Sequence, residues 1–225
     1  MLNERDCIRG CITSLLSQPE IIEIIVSDGG STDDTCGLSA ESGARVIQSR
    51  NRGRGFQLSE GIAHTTGEVI LAVHADCRLR EGAAGRALSA LNRDPLMAGG
   101  AFCMAFTSRI HRLKLIAFLN NLRARLTGIS FGDQGQFFRR EALERIGGFP
   151  RQMLMEDVEL SLRLKAVGRT TLLPRGILVS PRRWKTRSFA SRTTQVLSLF
   201  SRYLLARRKD CIQKTTEDYY HQYYG

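Results

Sequence analysis

The chain has 225 residues, 42% of them hydrophobic, which suits one large α/β domain or two small ones with a packed core. Its net charge of +11 favours anionic partners such as nucleic acid, acidic lipid surfaces or phosphorylated substrates. No apolar run approaches the roughly 20 residues that cross a bilayer, so the sequence predicts no membrane-spanning helix.

The first residues, MLNERDCIRG, contain no apolar core of a secretory signal, so we expect a cytoplasmic protein. The six cysteines show no metal-binding spacing, and reduced thiols are the expectation in that compartment. The first predicted element is a helix over residues 4–18 with a regularly spaced apolar face, which Pro19 ends.

Strands and helices then alternate through residue 73. Apolar, β-branched runs predict strands at residues 21–28, 44–49 and 69–73, and residues 55–67 predict a helix. The run 69–73 is short and continuous, which is typical of a strand buried on both faces. This alternation predicts a mostly parallel sheet.

Carboxylates follow two of these strands, Asp28 after the first and Asp76 after the third. The carboxyl ends of parallel strands share one edge of a sheet, where α/β proteins bind their ligands. Two carboxylates at that edge fit a metal ion or a sugar hydroxyl, although each alone fits a turn cap equally well. The pair therefore favours a binding site.

The second half of the chain changes character. A strand is predicted at residues 99–106, and an amphipathic basic helix at 111–126. Residues 155–168 are ambiguous, because their apolar residues fit both the period of a strand and that of a helix. A basic helix at 193–209 closes the pattern, and its apolar face fits either an acidic membrane surface or packing against the domain or a dimer partner.

These motifs together resemble the family 2 glycosyltransferases of the GT-A fold, and more narrowly a small bacterial subgroup of single-domain members. The resemblance covers residues 2–184 and rests on eight segments in order: LNE, VSDGGSTDDT, RGRGFQL, GEVILAVHADCRL, GDQGQFF, IGGFP, MEDVELSLRL and RRW. It implies one α/β domain with a mostly parallel central sheet flanked by helices. Residues 1–98 would bind the nucleotide-sugar, 99–180 would face the acceptor, and 181–225 would form a basic helical tail.

Family members reach the LNE motif through a first strand that is missing here, since Met1 stands two residues before Asn3. In the family this strand lies inside the nucleotide-binding sheet, so its loss would leave two neighbouring strands with unpaired backbone groups. We therefore expect either that the natural start lies upstream or that another segment or chain fills the gap.

The resemblance also assigns the donor side of the site. Asp28 would bind the base edge of the nucleoside, and Glu4 would lie near the ribose. Arg52 and Arg54 would offset the charge of the diphosphate. Asp76 matches the last aspartate of the family's Asp-x-Asp motif and would hold the Mg²⁺ or Mn²⁺ that bridges the donor phosphates.

Two motifs depart from the family pattern. His74 replaces the first aspartate of the metal motif; it would contact the ribose or the metal without adding charge, and a structural strand-end histidine stays the alternative. Arg183 and Trp184 match the end of the Gln-x-x-Arg-Trp motif of polymer-forming members, but Ser180 replaces its glutamine. This favours transfer of a single sugar. Arg183 would contact the diphosphate or be a solvated surface residue, and Trp184 would face the acceptor.

Glu156 and Asp157 match the Glu-Asp motif of the family, which implies a helix for the ambiguous segment. Asp157 would then be the general base of an inverting transfer, beside its acidic neighbour Glu156. A helix cap is the alternative for Asp157. Asp133 and Gln134 fall in the acceptor-facing region, where a turn role for Asp133 is nearly as well supported.

The sequence thus predicts a metal-dependent, inverting glycosyltransferase that uses a UDP-sugar rather than a GDP-sugar. A lipid-like acceptor and a location at the inner face of the membrane would suit its basic C-terminal helix. The open alternatives are a nucleotidyltransferase of similar fold, a non-catalytic family member and a basic nucleic-acid-binding protein. The residues LNERD stand where a nucleotidyltransferase would carry a glycine-rich loop. The sequence also lacks the alternation of aromatic and basic residues that is typical of a surface that binds single-stranded nucleic acid.

Overall fold

The computed structural model describes residues 1–185 and 189–208 of the chain. Its helices are, in chain order, α1 Arg5–Leu16, α2 Thr35–Glu41, α3 Arg54–Ala63, α4 Ala83–Arg93, α5 His111–Thr127, α6 Arg140–Arg145, α7 Glu156–Val167, α8 Arg182–Lys185 and α9 Phe189–Arg208. Its strands are β1 Ile25–Asp28, β2 Arg45–Gln48, β3 Val69–Ala72, β4 Cys77–Leu79, β5 Met97–Phe106, β6 Gln136–Arg139 and β7 Arg169–Val179. A 3₁₀ helix spans Gly132–Gln134.

Helix α1 forms where the sequence predicts it, because its apolar residues recur on one face. Ile8 and Ile12 are almost fully buried and pack against Val26 of β1. Pro19, just beyond the helix, cannot continue it. This packing holds Glu4, the residue before α1, beside α2, where its backbone N–H donates to Thr35 Oγ1 at 2.9 Å.

The strands form two sheets. Strands β1 and β2 pair in parallel, and the larger sheet has the order β3-β6-β5-β7-β4. In the larger sheet only β5 and β7 run parallel, so the expectation of a mostly parallel central sheet was wrong. The strand–helix alternation behind that expectation ends with β3, and β3 pairs antiparallel with β6, which comes from the second half of the chain. Phe137 and Phe138 of β6 are both fully buried in separate clusters on opposite faces, which shows that the sheet is covered on both sides.

Strands β4 and β7 and helix α4 were not predicted from the sequence. Strand β4 has only three residues, too few to show a period. Strand β7 contains Pro174 and Arg175, and the φ of Arg175 is +50°, a left-handed value that is rare inside a strand. Its pairing with β5 shifts register between Phe102 and Met104, so the strand is bent there and its pattern is broken.

The ambiguous segment is helical, as the family resemblance implied. Helix α7 is enclosed on most sides: Val158 and Leu160 are fully buried, and the polar residues Glu159 and Ser161 are nearly so. Because both faces are covered, buried residues recur at every spacing. This explains why the periodicity alone did not distinguish a helix from a strand.

A cleft of about 630 Å³ separates β1 from β3, and apolar side chains of α1, β1 and β3 line most of it. Met1 lies at one end of the cleft, where its amine donates to Ser27 O at 2.6 Å and its carbonyl accepts from Gly29 N–H at 2.8 Å. This is the bonding pattern of a parallel strand pair. Strand β3 is therefore only partly buried, contrary to expectation, since its free edge faces the cleft. The missing first strand stays a prediction.

Helix α9 packs on α7. Leu199 and Tyr203 are buried against Val158, and the Tyr203 hydroxyl donates to Glu159 at 2.7 Å. Leu199 and Tyr203 therefore pack against the domain rather than face a membrane. The side chains of Val196 and Leu197 lie outside the part of the chain that the structure describes. Over the described ranges, no helix combines the length and the apolar character that crossing a bilayer requires.

Candidate active site

The candidate site lies where the loop after β3, the 3₁₀ helix and the start of α7 meet. Helix α7 follows Met155, whose φ of 63° is a left-handed turn. The turn places Glu156 and Asp157 in the first turn of α7, opposite Arg54, the first residue of α3. The predicted catalytic motif therefore stands at the start of α7 and faces the start of α3.

Arg54 joins both acidic residues. Its Nε donates to Glu156 Oε1 at 2.8 Å, and its Nη2 lies 3.4 Å from Asp157 Oδ2. The guanidinium is only 22% exposed, so this is a largely buried ion-pair network. In this structure Arg54 faces protein carboxylates, and its contact with a diphosphate stays a prediction.

Gly55 allows this approach of α3 to α7. A Cβ at position 55 would lie 2.4 Å from the carbonyl oxygen of Pro150 and 2.5 Å from that of Gln152, closer than atoms can come. The Gly55 N–H also donates to the Gln152 carbonyl at 3.1 Å. A glycine at this point of the RGRG segment is therefore required for Arg54 to reach α7.

Glu156 is fully buried. Burial raises its pKa to about 7, Arg54 opposes that rise, and the neighbouring Asp157 adds to it. Within the described part of the chain, its second oxygen, Oε2, has no hydrogen-bond partner. Glu156 is thus a carboxyl group that titrates near neutral pH inside the protein.

The Asp157 carboxylate is held by three donors. Its Oδ2 accepts the Gly132 N–H at 2.7 Å beside Arg54, and its Oδ1 accepts the Val158 N–H at 2.8 Å. Met155 rather than Asp157 is the N-cap of α7, but the Val158 bond satisfies an N–H of the first turn, as a capping side chain does. The Gly132 bond ties the start of α7 to the 3₁₀ helix that carries Asp133.

His74 lies against Gly132. A Cβ at position 132 would be 2.3 Å from His74 Nε2 and 3.3 Å from an Arg54 nitrogen, so only glycine fits between them. The imidazole, Arg54 and Asp157 are thereby gathered around one backbone position. His74 therefore lies at the candidate site, and its contact with the ribose or the metal stays a prediction.

Asp133 completes the acidic cluster. Burial, followed by repulsion from the carboxylates of Asp157 and Asp76, raises its pKa to about 6. Its Oδ1 is buried and, among the described residues, has no hydrogen-bond partner. A carboxylate with an unsatisfied buried oxygen is suited to a cation or to a ligand hydroxyl.

The predicted metal ligand Asp76 is 8% exposed, and its carbonyl accepts the Ser180 N–H at 2.9 Å. Across residues 1–185 and 189–208, no three His, Cys, Asp or Glu side chains lie close enough to enclose an ion alone. Mg²⁺ at phosphate sites uses only one or two carboxylates and takes its other ligands from phosphates and water. Asp76, with the unsatisfied oxygen of Asp133 near it, fits a cation of that kind.

Asp28 is fully buried at the end of β1. Its carboxylate accepts hydrogen bonds from the N–H groups of Gly30 and Ser31 at 2.9 and 2.8 Å and from the Ser31 hydroxyl at 2.5 Å. Burial alone would raise the pKa of Asp28, but these bonds outweigh it and lower the pKa. Asp28 therefore shapes the turn as an ionised carboxylate.

Glu4 is buried and forms an ion pair with Arg182 Nη2. Arg182 was missed by the sequence reasoning, which chose its neighbour Arg183; the side chain of Arg183 lies outside the described residues. The two consecutive arginines indicated that one of them could face the site. Only the direction of α8 decides which of the two turns towards α1. Arg182 links the C-terminal segment to the start of the chain.

The remaining predicted residues are less central. Gln134 is fully buried; its Oε1 accepts from Phe131 N–H at 3.0 Å and Arg123 Nη2 at 3.2 Å, so it holds the 3₁₀ helix to α5. Trp184 packs edge-to-face on a core phenylalanine, with ring centroids 6.0 Å apart. Arg52 is exposed in the loop before α3. Gln134 thus supports the 3₁₀ helix and Trp184 packs on β5, and an acceptor contact of either stays a prediction.

Arg123 was also missed. Its guanidinium stacks 3.5 Å from the ring centre of Phe131, and burial lowers its pKa to about 10 although Asp133 and Asp157 oppose this. It is the cation that faces the acidic cluster from α5. The sequence pattern of a basic amphipathic helix does not indicate which of its arginines points into the protein.

Comparison with known proteins identifies related sequences and folds. The family Glycosyl transferase family 2 matches residues 1–147 of the 225. A curated relative, the uncharacterized glycosyltransferase YaiP of Escherichia coli K12, is 25% identical in an alignment of 184 positions that covers 74% of this chain and 46% of YaiP. The chain thus spans about half the length of the curated relative that it matches.

Two solved structures share the fold. Mannosyltransferase PcManGT from Pyrobaculum calidifontis, in complex with GDP-Man and Mn²⁺, is 22% identical with a TM-score of 0.62, over 80% of this chain and 54% of its own. Glucosyl-3-phosphoglycerate synthase from Mycobacterium tuberculosis, in complex with Mn²⁺, UDP and glucosyl-3-phosphoglycerate, is 22% identical with a TM-score of 0.63, over 92% and 75% of the two chains. At this identity the likeness shows the fold, and the predicted GT-A architecture is confirmed.

Proposed function

The chain belongs to the Glycosyl transferase family 2, and on that premise we propose that it is a metal-dependent, inverting glycosyltransferase that moves one sugar from a UDP-sugar to an acceptor hydroxyl. The observation that carries the proposal is the convergence of Asp76, Asp133 and Asp157 with Arg54 beside Gly132. A carboxylate cluster with an adjoining cation suits a diphosphate donor, a divalent metal and a proton acceptor.

The donor side of the proposal uses the edge formed by β1, α1 and the loop after β3. Asp28 would accept hydrogen bonds from the base edge in addition to those it accepts within its turn. Glu4, which its ion pair with Arg182 holds in place, would lie at the ribose. His74 would contact the ribose or the first phosphate. The bound Mn²⁺ and nucleotides of the two solved relatives support a donor of this class.

Asp76 would hold the cation, with Asp133 as a second oxygen ligand. When bound, Mg²⁺ or Mn²⁺ neutralises charge on the leaving diphosphate. A cation would also relieve the burial and the carboxylate repulsion that raise the pKa of Asp133.

Asp157 would be the general base. The Gly132 N–H and Arg54 fix the orientation of its carboxylate, so that Oδ2 lies at the junction of the acceptor-side 3₁₀ helix and α7. The acceptor hydroxyl would lose its proton to Asp157 as its oxygen attacks the anomeric carbon. The bond from that carbon to the diphosphate oxygen breaks on the opposite face, which inverts the configuration.

A direct test follows the release of UDP from a panel of UDP-sugars in the presence of Mn²⁺, with water as the slow default acceptor. The proposal expects release with one sugar well above the rate in buffer, and loss of release when EDTA is added. If every UDP-sugar gave only background release and a GDP-sugar were turned over, the donor nucleotide would be GDP rather than UDP. Background release with every nucleotide-sugar would favour a non-catalytic family member.

A further inference from the structure

The outer face of α5 carries an apolar stripe that the rest of the described chain does not cover. Its large side chains are between 40% and 77% exposed and recur at helical spacing: Leu115, Phe118, Leu119, Leu122 and Leu126. At about 100° per residue they fall within an arc of roughly 100°. The opposite face, with Leu113 and Ala117, is buried in the core. This helix is therefore apolar on both sides, and its outer side faces away from the protein.

The stripe is bordered by cations. Arg112, Lys114 and Arg125 are exposed on α5, and Arg109 is exposed just before it. The sequence contains no aspartate or glutamate between Asp94 and Asp133. A helix with an exposed stripe of leucine and phenylalanine, with cations on both borders and no carboxylate of its own, suits docking on anionic lipid.

We propose that α5 docks the protein on an anionic membrane surface, with the stripe inserted at the headgroup boundary and the bordering cations on the lipid phosphates. The helix has 17 residues, so the contact would be about 25 Å long. Each cation near an anionic surface adds roughly 1 kcal/mol, and the net charge of +11 adds long-range attraction.

Charge complementarity decides between a membrane and a second copy of the chain. In a symmetric dimer the same face meets itself, so Arg112, Lys114 and Arg125 of one copy would approach the same cations of the other. Helix α5 offers no carboxylate to balance them. On an anionic bilayer the cations meet lipid phosphates instead of each other, and the apolar stripe is buried by the same contact.

The inner face of α5 connects this surface to the candidate site. Asn121 brackets β5 with two hydrogen bonds of 2.9 Å to the backbone of Met104, and Arg123 holds Gln134 beside Asp133. Docking through α5 would therefore set the acceptor side close to the bilayer. Only this last consequence, an acceptor anchored in the same membrane, rests on the proposed function.

The test is cosedimentation of the full chain with vesicles, in the absence of donor, so that it is independent of transferase activity. Vesicles of phosphatidylcholine alone are compared with vesicles of equal parts phosphatidylcholine and phosphatidylglycerol. We expect binding to the mixed vesicles only, weakened about fivefold for each of Arg112→Gln and Lys114→Gln. Phe118→Ser with Leu122→Ser should weaken it at least about tenfold.

Leu96→Ser is the matched control, since Leu96 is 66% exposed but lies outside α5. It should bind like the wild type, and all variants should keep the wild-type melting temperature because the changed side chains are on the surface. Equal binding of the wild type and the Phe118/Leu122 variant would overturn the proposal. So would a dimer in the absence of vesicles that the Phe118/Leu122 variant converts to a monomer, because the stripe would then face a second copy.

Discussion

Arg54 and Glu156 form an ion pair in which Nε and Oε1 are 2.8 Å apart, and this pair joins the first residue of α3 to the first residue of α7. The same guanidinium reaches Asp157, the proposed base. The geometry of the catalytic motif therefore depends on a residue about a hundred positions earlier in the chain.

Arg54→Ala is expected to destabilise the protein by about 3 kcal/mol, the scale for breaking one side of a buried pair, because Glu156 is left buried without its cation. The loss should depend on pH. The pKa of Glu156 is about 7 against an ordinary 4.5, so its contribution to stability is complete below about pH 4.5 and falls as the pH rises through 7.

Removing Arg54 raises that pKa further, so denaturant unfolding should show a larger loss at pH 8 than at pH 5. Arg52→Ala, which changes an exposed arginine two residues away, is the control and should cost little at either pH. A loss of equal size at both pH values would mean that Glu156 does not carry the effect.

Asp157→Asn is expected to lower turnover at least about a hundredfold while donor affinity stays near the wild-type value. The amide keeps an oxygen for the Gly132 N–H but cannot take a proton from the acceptor. Turnover and the dissociation constant for UDP are measured on the same sample. Parallel losses in both would assign Asp157 a capping role only.

Asp76→Ala is expected to abolish metal-dependent UDP binding while the protein stays folded. Its backbone carbonyl bond to Ser180 does not depend on the side chain, so the loop after β3 should persist. Calorimetric titration of UDP with Mn²⁺ measures the effect, and Asp34→Ala, at an exposed position, serves as the control. Unchanged affinity in Asp76→Ala would remove this residue from the metal site.

Asp133→Asn is expected to stabilise the protein at pH 8 by about 1–2 kcal/mol, allowing for partial solvent screening. The folded pKa of Asp133 is about 6 against an ordinary 3.8, so ionisation above pH 6 costs stability that a neutral amide does not lose. The gain should shrink towards pH 4, where both side chains are neutral. Denaturant unfolding at pH 4 and pH 8 measures it, and a gain of equal size at both pH values would contradict the burial argument.

Filling the cleft between β1 and β3 is expected to stabilise the fold. An apolar strand of about five residues joined to Met1 would extend the pairing that Met1 makes with β1. It would also replace a buried amine whose pKa burial lowers to about 6. We expect the melting temperature to rise by at least about 4 °C, the effect of 1–2 kcal/mol in a chain of this size. A glycine–serine extension of equal length is the control, and an equal rise with it would refute a strand in the cleft.

Asp76 could be predicted from the sequence, because two carboxylates that follow buried strands share the sheet edge where α/β proteins bind ligands, although each alone also fits a turn cap. Asp157 was predicted only because Glu156 and Asp157 match the Glu-Asp motif of the family. Gln134 and Arg182 could not be placed, since their roles depend on how α5 and α8 pack. Strand β7 was missed because Pro174 and Arg175 interrupt it, and only its pairing with β5 makes those residues part of a strand.

The measurement that tests the central claim most directly is a thermal-shift screen of nucleotides and nucleotide-sugars with and without Mn²⁺. The account predicts that UDP or a UDP-sugar raises the melting temperature only when Mn²⁺ is present, with a stabilisation near 2.7 kcal/mol at a hundredfold excess over the dissociation constant. It also predicts no metal-dependent shift in Asp76→Ala. A shift of the same size with and without Mn²⁺, or none with any nucleotide, would contradict a metal-dependent nucleotide-sugar site.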